Sequence, residues 1–324
     1  MHPVLHVLLW PLAFFGLVAL AFVVALAQPL RPPPPLASIH AGAIKISRQG
    51  LPELSRFQAR DGTWLAYRLY PAANGAREKL AILAHGSSAS SDEMHMIAKA
   101  LAAAGIVAVA IDARGHGASG TRGDIGYIGQ LDDDLADLIA HVRAAYPKAR
   151  LTLIGHSSGG GFALRIAAGP LGASFDRFVL LAPYLGYQAP TNRPGEGTGL
   201  WAAPDIPRII AIMMLGRIGI DWPQSLPAIA FAVAPEAVKF VAPRYSFRLL
   251  VNYGPPPDWK GALAGAAGRI DLIAGESDEL MDAPAYQSVV APLGVRVTLL
   301  PGVDHMGVVH APAALAAIRE AATR

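Results

Sequence analysis

Cysteine is missing from this 324-residue chain. Disulfides and thiolate catalysis are therefore excluded, and the redox compartment is left open. Charge is sparse: Asp, Glu, Lys and Arg make up 16% of the residues, with a net charge of +3. The isoelectric point near 9.2 is basic, yet the Arg and Lys residues are scattered, which argues against a nucleic-acid partner. No His-Glu-x-x-His and no Gly-Lys-Ser/Thr phosphate loop occurs, so metal or nucleotide catalysis lacks support and no cofactor is expected. Repeats are lacking, and the only low-complexity tract is a proline run. Apolar residues, by contrast, are abundant at 53%, with a mean hydropathy of +0.37. That is enough for one large core plus an excess that membrane contact or a greasy cap would explain.

The most informative stretch is Gly155-His156-Ser157-Ser158-Gly159, between an apolar run (151–154) and an apolar helical pattern (162–168). Strand, sharp turn and helix form the context in which Gly-x-Ser-x-Gly exposes a nucleophilic serine. A serine hydroxyl needs a histidine to take its proton, and the histidine needs a carboxylate to fix its tautomer. Residues 269–274 read as a buried strand followed closely by Asp278, and 295–300 as the next strand, followed by His305. Both groups would then fall at strand ends on one sheet edge. Asp304, beside His305, and Asp282 compete for the acid role, but Asp278 is preferred, since adjacent residues on one loop usually point apart. His85, His116 and His156 are expected to serve turn geometry and hydrogen bonding.

The order Ser157, Asp278, His305 resembles that of the α/β-hydrolases. More narrowly, the chain from about Leu54 to Ala322 resembles the capped, lipase-like branch that includes monoacylglycerol lipases and the serine aminopeptidase family. Residues 80–87, ending His85-Gly86-Ser87, resemble the strand and turn that supply part of the oxyanion hole, and Asp112-Ala-Arg114-Gly115-His116-Gly117-Ala-Ser119 resembles the loop after the following strand. The resemblance implies that the backbone N–H groups of Ser87 and Ser158 hold the oxyanion. Gly115 to Gly120 also fits a dinucleotide fingerprint, but the polar, glycine-broken 121–126 that follows does not open a helix as that motif requires.

Val4 to Ala27 lacks Asp, Glu, Lys and Arg over 24 residues, long enough for a membrane-crossing helix. The alternative is a signal segment cleaved near Ala27, after an Ala-Leu-Ala, against which stand the length of the stretch and the lack of a preceding Lys or Arg. The basic residues that follow favour a cytoplasmic catalytic domain, whereas an export signal argues the reverse. We divide the chain into this segment (1–29), a Pro-rich linker (30–50) serving as a stiff spacer, a first part of the core (51–183), a helical cap (184–267) and a second part of the core (268–324). Alternating strand and helix patterns predict an α/β fold with a doubly wound, mostly parallel sheet. Asp132, Asp133 and Asp134 read as the acidic first turn of an amphipathic helix. The cap carries apolar residues read at helical spacing, including Ile206, Ile209, Ile210, Met213, Met214, Ile229, Phe231 and Val233. Met213, Met214 and Phe231 are candidates for lining an acyl pocket.

These readings point to a serine hydrolase, with hydrolysis of an apolar carboxylic ester leading. The same triad would serve a peptidase or an acyltransferase, and a non-catalytic binding protein on this fold is a further alternative. The expected partners are a small or lipid-like acyl substrate and, through the N-terminal segment, a membrane.

Overall fold

The computed structural model describes residues 3–193 and 201–324. Five short runs form the centre of an eight-stranded sheet: β3 (Lys79–Ala84), β4 (Val107–Ile111), β5 (Arg150–His156), β6 (Arg177–Leu181) and β10 (Ile270–Gly275). They are almost wholly apolar and buried, as strands covered on both faces must be. Around them the order is β1-β2-β4-β3-β5-β6-β10-β11, where β1 is Ser55–Gln58, β2 Trp64–Tyr70 and β11 Arg296–Leu300. Only β1 and β2 run antiparallel to their neighbours, the hairpin that Asp61-Gly62 signals in sequence. The reversal of strand order around β3 puts the carboxyl ends of β3 and β5 side by side, at the crevice where α/β sheets bind ligands.

The helices numbered in chain order are α1 (Pro3–Ala27), α2 (Ala37–Lys45), α3 (His95–Ala103), α4 (Gln130–Ala145), α5 (Ser158–Ala168), α6 (Ile206–Gly216), α7 (Phe247–Asn252), α8 (Trp259–Ala266) and α9 (Pro312–Thr323). The acidic start of α4 does more than meet the helix dipole. Asp132 pairs with Arg165, Asp133 with Arg60, and the largely buried Asp134 with Arg114 of the loop after β4. Asp112 of the same loop accepts the N–H groups of Ser91 and Ala118, both at 2.8 Å. That loop is therefore a brace beneath the site.

Two parts of the chain depart from expectation. Between β6 and β10 the insertion holds α6, but also a three-stranded antiparallel sheet of β7 (Ala202–Pro204), β8 (Pro227–Phe231) and β9 (Arg244–Ser246). Ile229, Phe231 and Val233 recur every second residue, which is the period of a strand and not of a helix. The stretch expected as a spacer is likewise packed onto the body. The N–H of Leu36 donates to the carbonyl of Ala232, and Ile39, Gly42 and Ile46 are buried. Ile39, Ala43 and Ile46 are spaced as one face of a helix, a signal that the proline run beside it obscured. A Cβ on Gly42 would collide with the Met306 side chain, so only glycine lets α2 approach so closely. The end of α1 is also tied in: Leu26 packs against the small core of Ile212, Ala228 and Phe247, and Gln28 Nε2 donates to Asp205 Oδ1 at 2.8 Å.

Candidate active site

β5 delivers the chain into a turn at Ser157, which has φ +52° and ψ −116°. Non-glycine residues avoid this region unless their surroundings force it. Crowding does so here: a Cβ on Gly155 would meet the carbonyl of Gly159, and one on Gly159 the carbonyl of His85. Among the described residues only Ser88, Ser157 and Ala182 combine a side chain with positive φ. All three lie just past the carboxyl ends of neighbouring strands β3, β5 and β6, so backbone strain is concentrated at one place on the sheet edge.

His305 comes to the same edge from the loop after β11, and its Nδ1 lies 2.8 Å from Asp278 Oδ2. The other oxygen of Asp278 accepts the N–H groups of Leu280 and Met281, each at 2.8 Å. Burial alone would raise the Asp278 carboxyl, but the charge and hydrogen bond of His305 and the two backbone N–H groups hold it below the ordinary carboxylate range. For His305, burial pulls the pKa down, and the charge and hydrogen bond of Asp278, helped by Glu279 and Glu93, bring it above the ordinary imidazole value. Asp304 instead accepts the N–H of Gly307 in its own turn, and the N–H of Asp282 bonds the carbonyl of Thr191. Of the three candidate acids, Asp278 is the one that meets His305.

Ser157 and His305 line one cavity of about 100 Å³. Ser157 Oγ and His305 Nε2 make no hydrogen bond with each other or with any other described residue. Catalytic hydrogen bonds often form only when substrate tightens a site. The N–H groups of Ser87 and Ser158 likewise lack partners among the described residues. Their neighbours are engaged: Gly86 N–H donates to Glu93, and Ser88 N–H donates to the hydroxyl of Tyr245. The insertion grips this turn, with Trp201 Nε1 donating to Ser87 Oγ at 2.8 Å and Ser88 Oγ donating to the carbonyl of Ala242 at 2.8 Å. A second void, about 20 Å³ under α4, has room for little more than a water and is lined by neither Ser157 nor His305.

The serine aminopeptidase S33 family matches residues 75–227. A monoacylglycerol lipase of Mycolicibacterium smegmatis is 26% identical, over 61% of this chain and 77% of its own. Among solved structures, a soluble variant of the monoglyceride lipase of Saccharomyces cerevisiae, in complex with a substrate analog, superposes with a TM-score of 0.58 at 17% identity, covering 83% of this chain and 94% of that one. Est1E of Butyrivibrio proteoclasticus with bound ferulic acid also gives 0.58, at 14% identity, covering 82% and 96%. The chain has the α/β-hydrolase fold, and over residues 75–227 its sequence is similar to the serine aminopeptidase S33 family.

The cap residues expected to line an acyl pocket in this hydrolase do not do so. Met213 and Met214 are half-exposed on the outer side of α6, and Phe231 is buried against Trp201 and Tyr245. None of the three lines the cavity: for the two methionines, helical periodicity does not say which side faces the site, and Phe231 lies on strand β8 and not on a helix. The apolar wall is built instead by Trp201, Val233 and Val241 of the insertion, Met306, and Ile39 and Ala43 of α2. Glu93 was the other residue missed. An acid beside Asp92 and ahead of an apolar helix reads as a surface charge near a helix start, whereas here Glu93 is 7% exposed and lies in the cavity wall. His85 and His116 do sit in turns, edge to face with their ring centres 4.7 Å apart. Burial, and then the charge of His85, push His116 well below the ordinary imidazole value, so its Nε2 accepts from the Tyr245 hydroxyl.

Proposed function

We propose that this hydrolase cleaves carboxylic esters with an apolar acyl group, using Ser157 as nucleophile, His305 as base and then acid, and Asp278 as the group that orients and stabilises the imidazolium. The observation that carries this reading is the single cavity in which a strained, unpartnered serine and the Asp278-held His305 share space with an apolar wall. Attack by Ser157 Oγ on the ester carbonyl passes its proton to His305 Nε2. The N–H groups of Ser87 and Ser158 take the developing oxyanion, each worth about 3–4 kcal/mol. His305 then protonates the leaving alkoxide and activates water to release the acid.

An apolar wall suits an acyl chain, whereas an aminopeptidase needs a free anion for the substrate ammonium. Among the described residues that line the cavity, Glu93 is the only carboxylate, and it is already bonded to Gly86 and His156. Comparing p-nitrophenyl acyl esters with aminoacyl-anilides tests the assignment, and faster cleavage of the anilides would overturn it. Acyl transfer is the third outcome, read as product formed with an added alcohol in place of free acid.

The wall also predicts chain-length preference. Enlarging Val233 or Val241 to Phe should shift the preferred p-nitrophenyl ester toward shorter acyl groups while acetate hydrolysis stays nearly constant. Each methylene excluded costs about 0.8 kcal/mol, roughly fourfold in kcat/KM. Met213→Ala and Met214→Ala should leave the profile where it was. A profile that moves with the methionines and not with the valines would relocate the acyl site.

We further infer that α1 anchors the hydrolase in a membrane. Residues 10–27 are apolar and unburied, and the outer face of neighbouring α6 leaves Ile206, Ile210, Met213 and Met214 exposed beside it. The packing of Leu26 into the cap core gives α1 a place in the folded body that a cleaved signal would lose. The full chain should stay with membranes through carbonate and high-salt washing, because burial of apolar surface is not screened by ions. A mature N-terminus at Gln28 would decide for cleavage instead.

A further inference from the structure

Beside the Asp278–His305 pair lies a second buried carboxylate and imidazole that the mechanism above leaves without a task. His156 Nδ1 lies 2.9 Å from Glu93 Oε1, and the same oxygen accepts the N–H of Gly86 at 2.7 Å. His156 Nε2 lies 3.2 Å from the backbone carbonyl of His305, and the two rings are 4.8 Å apart. A carbonyl only accepts, so Nε2 must carry a proton, and Nδ1 faces a carboxylate that already accepts from Gly86. Burial works to raise the Glu93 carboxyl, but the charge and hydrogen bond of His156, the nearby His85 and the N–H of Gly86 hold it below the ordinary carboxylate range. Both ring nitrogens of His156 therefore face hydrogen-bond acceptors, Glu93 on one side and the carbonyl of His305 on the other.

A buried carboxylate–histidine contact is a poor source of net stability, since desolvation offsets most of the attraction. Its placement suggests another use. Glu93 pins Gly86, the residue before Ser87, and His156 is the residue before Ser157 and holds the carbonyl of His305. One pair thus touches the ends of β3 and β5 and the histidine loop. The fit is close, because a Cβ on Gly86 would stand 3.1 Å from His156 Nδ1 and 3.4 Å from both oxygens of Glu93. The other charged or titratable groups facing this cluster are His85 on the Glu93 side and Asp278 and Glu279 on the His305 side.

We propose that Glu93 and His156 are positioning residues, a hydrogen-bonded carboxylate–imidazole pair that fixes the oxyanion turn and the catalytic histidine loop relative to the nucleophile. This rests on the serine-hydrolase reading above. Donors that act in the transition state must be in place beforehand, and small misplacements are costly there while ground-state binding barely feels them.

The test uses the full-length protein and Glu93→Gln, which keeps the shape and removes the charge. With a p-nitrophenyl ester, kcat should fall about 10- to 100-fold with KM within roughly twofold, and labelling by a fluorophosphonate should slow in parallel. Independently, ¹H–¹⁵N NMR of histidine-labelled wild type should show a His156 Nε2–H protected from exchange with water by its bond to the His305 carbonyl, the signal being assigned by its loss in His156→Asn. An unchanged kcat, a loss confined to KM, or a His156 Nε2–H that exchanges freely with water would each overturn the proposal. If Glu93→Gln does not fold, the wild-type ¹⁵N spectrum decides alone. Wild type that ignores the fluorophosphonate would instead defeat the serine-hydrolase reading, a result the His156 spectrum does not share.

Discussion

Ser157→Ala should abolish ester turnover, by about 10⁴- to 10⁶-fold in kcat, and eliminate fluorophosphonate labelling while the protein stays folded. The loss is large because attack needs an oxygen at this one point, and no neighbouring hydroxyl replaces it: Ser158 begins α5, and Ser87 Oγ already accepts from Trp201. The fold survives because Ser157 Oγ has no partner among the described residues, so its removal orphans nothing. Alanine also tolerates φ +52° no worse than serine does, since the strain belongs to the backbone and Cβ and not to the hydroxyl. Ser158→Ala should cost far less, because the group that matters there is its N–H. A folded Ser157→Ala protein that still turned over ester, with labelling moved to another serine, would displace the nucleophile and the mechanism with it.

How far this site can be read from sequence depends on whether backbone or side-chain contacts build it. The elbow is legible because its chemistry is local: Gly155 and Gly159 are demanded by carbonyls only a few residues away or on the adjoining strand, and the motif with its flanks encodes that crowding. Asp278 and His305 are legible for a related reason, since each falls just past a strand whose place in the sheet the apolar pattern fixes. The walls are different. Val233, Val241, Ile39 and Trp201 meet over Ser157 because the insertion and α2 fold across the sheet edge, and nothing within either segment records what it faces. Met213 and Met214 illustrate the converse, apolar and helical yet turned outward. Glu93 was hidden by distance, 63 residues from His156, and its partner had an easier explanation as a turn residue.

Asp278→Asn carries the other large expected effect, a fall in kcat on the order of 10³- to 10⁴-fold. The carboxylate accepts three hydrogen bonds, two from the N–H groups of Leu280 and Met281 and one from His305 Nδ1–H. Asparagine keeps the first two through its carbonyl, which turns its NH₂ toward Nδ1. The ring must then accept there and carry its proton on Nε2, the tautomer that cannot take a proton from Ser157. The pH dependence should change as well, and its sign follows from the causes. In the wild type Asp278 lifts the His305 pKa above the ordinary value against the pull of burial, so activity, which needs the neutral ring, is lost as pH falls through that raised value. With the charge removed, burial dominates and the pKa drops. The acidic limb of the residual activity should therefore move to lower pH even as the plateau collapses. Combined with Ser157→Ala the substitution should add nothing, because the triad acts as a unit. Asp304→Asn is the control, since that carboxylate caps a turn at Gly307 and touches neither Ser157 nor the His305 ring. Near wild-type rates in Asp278→Asn, or an acidic limb that stays put or rises, would show that the 2.8 Å contact with His305 does not govern the base.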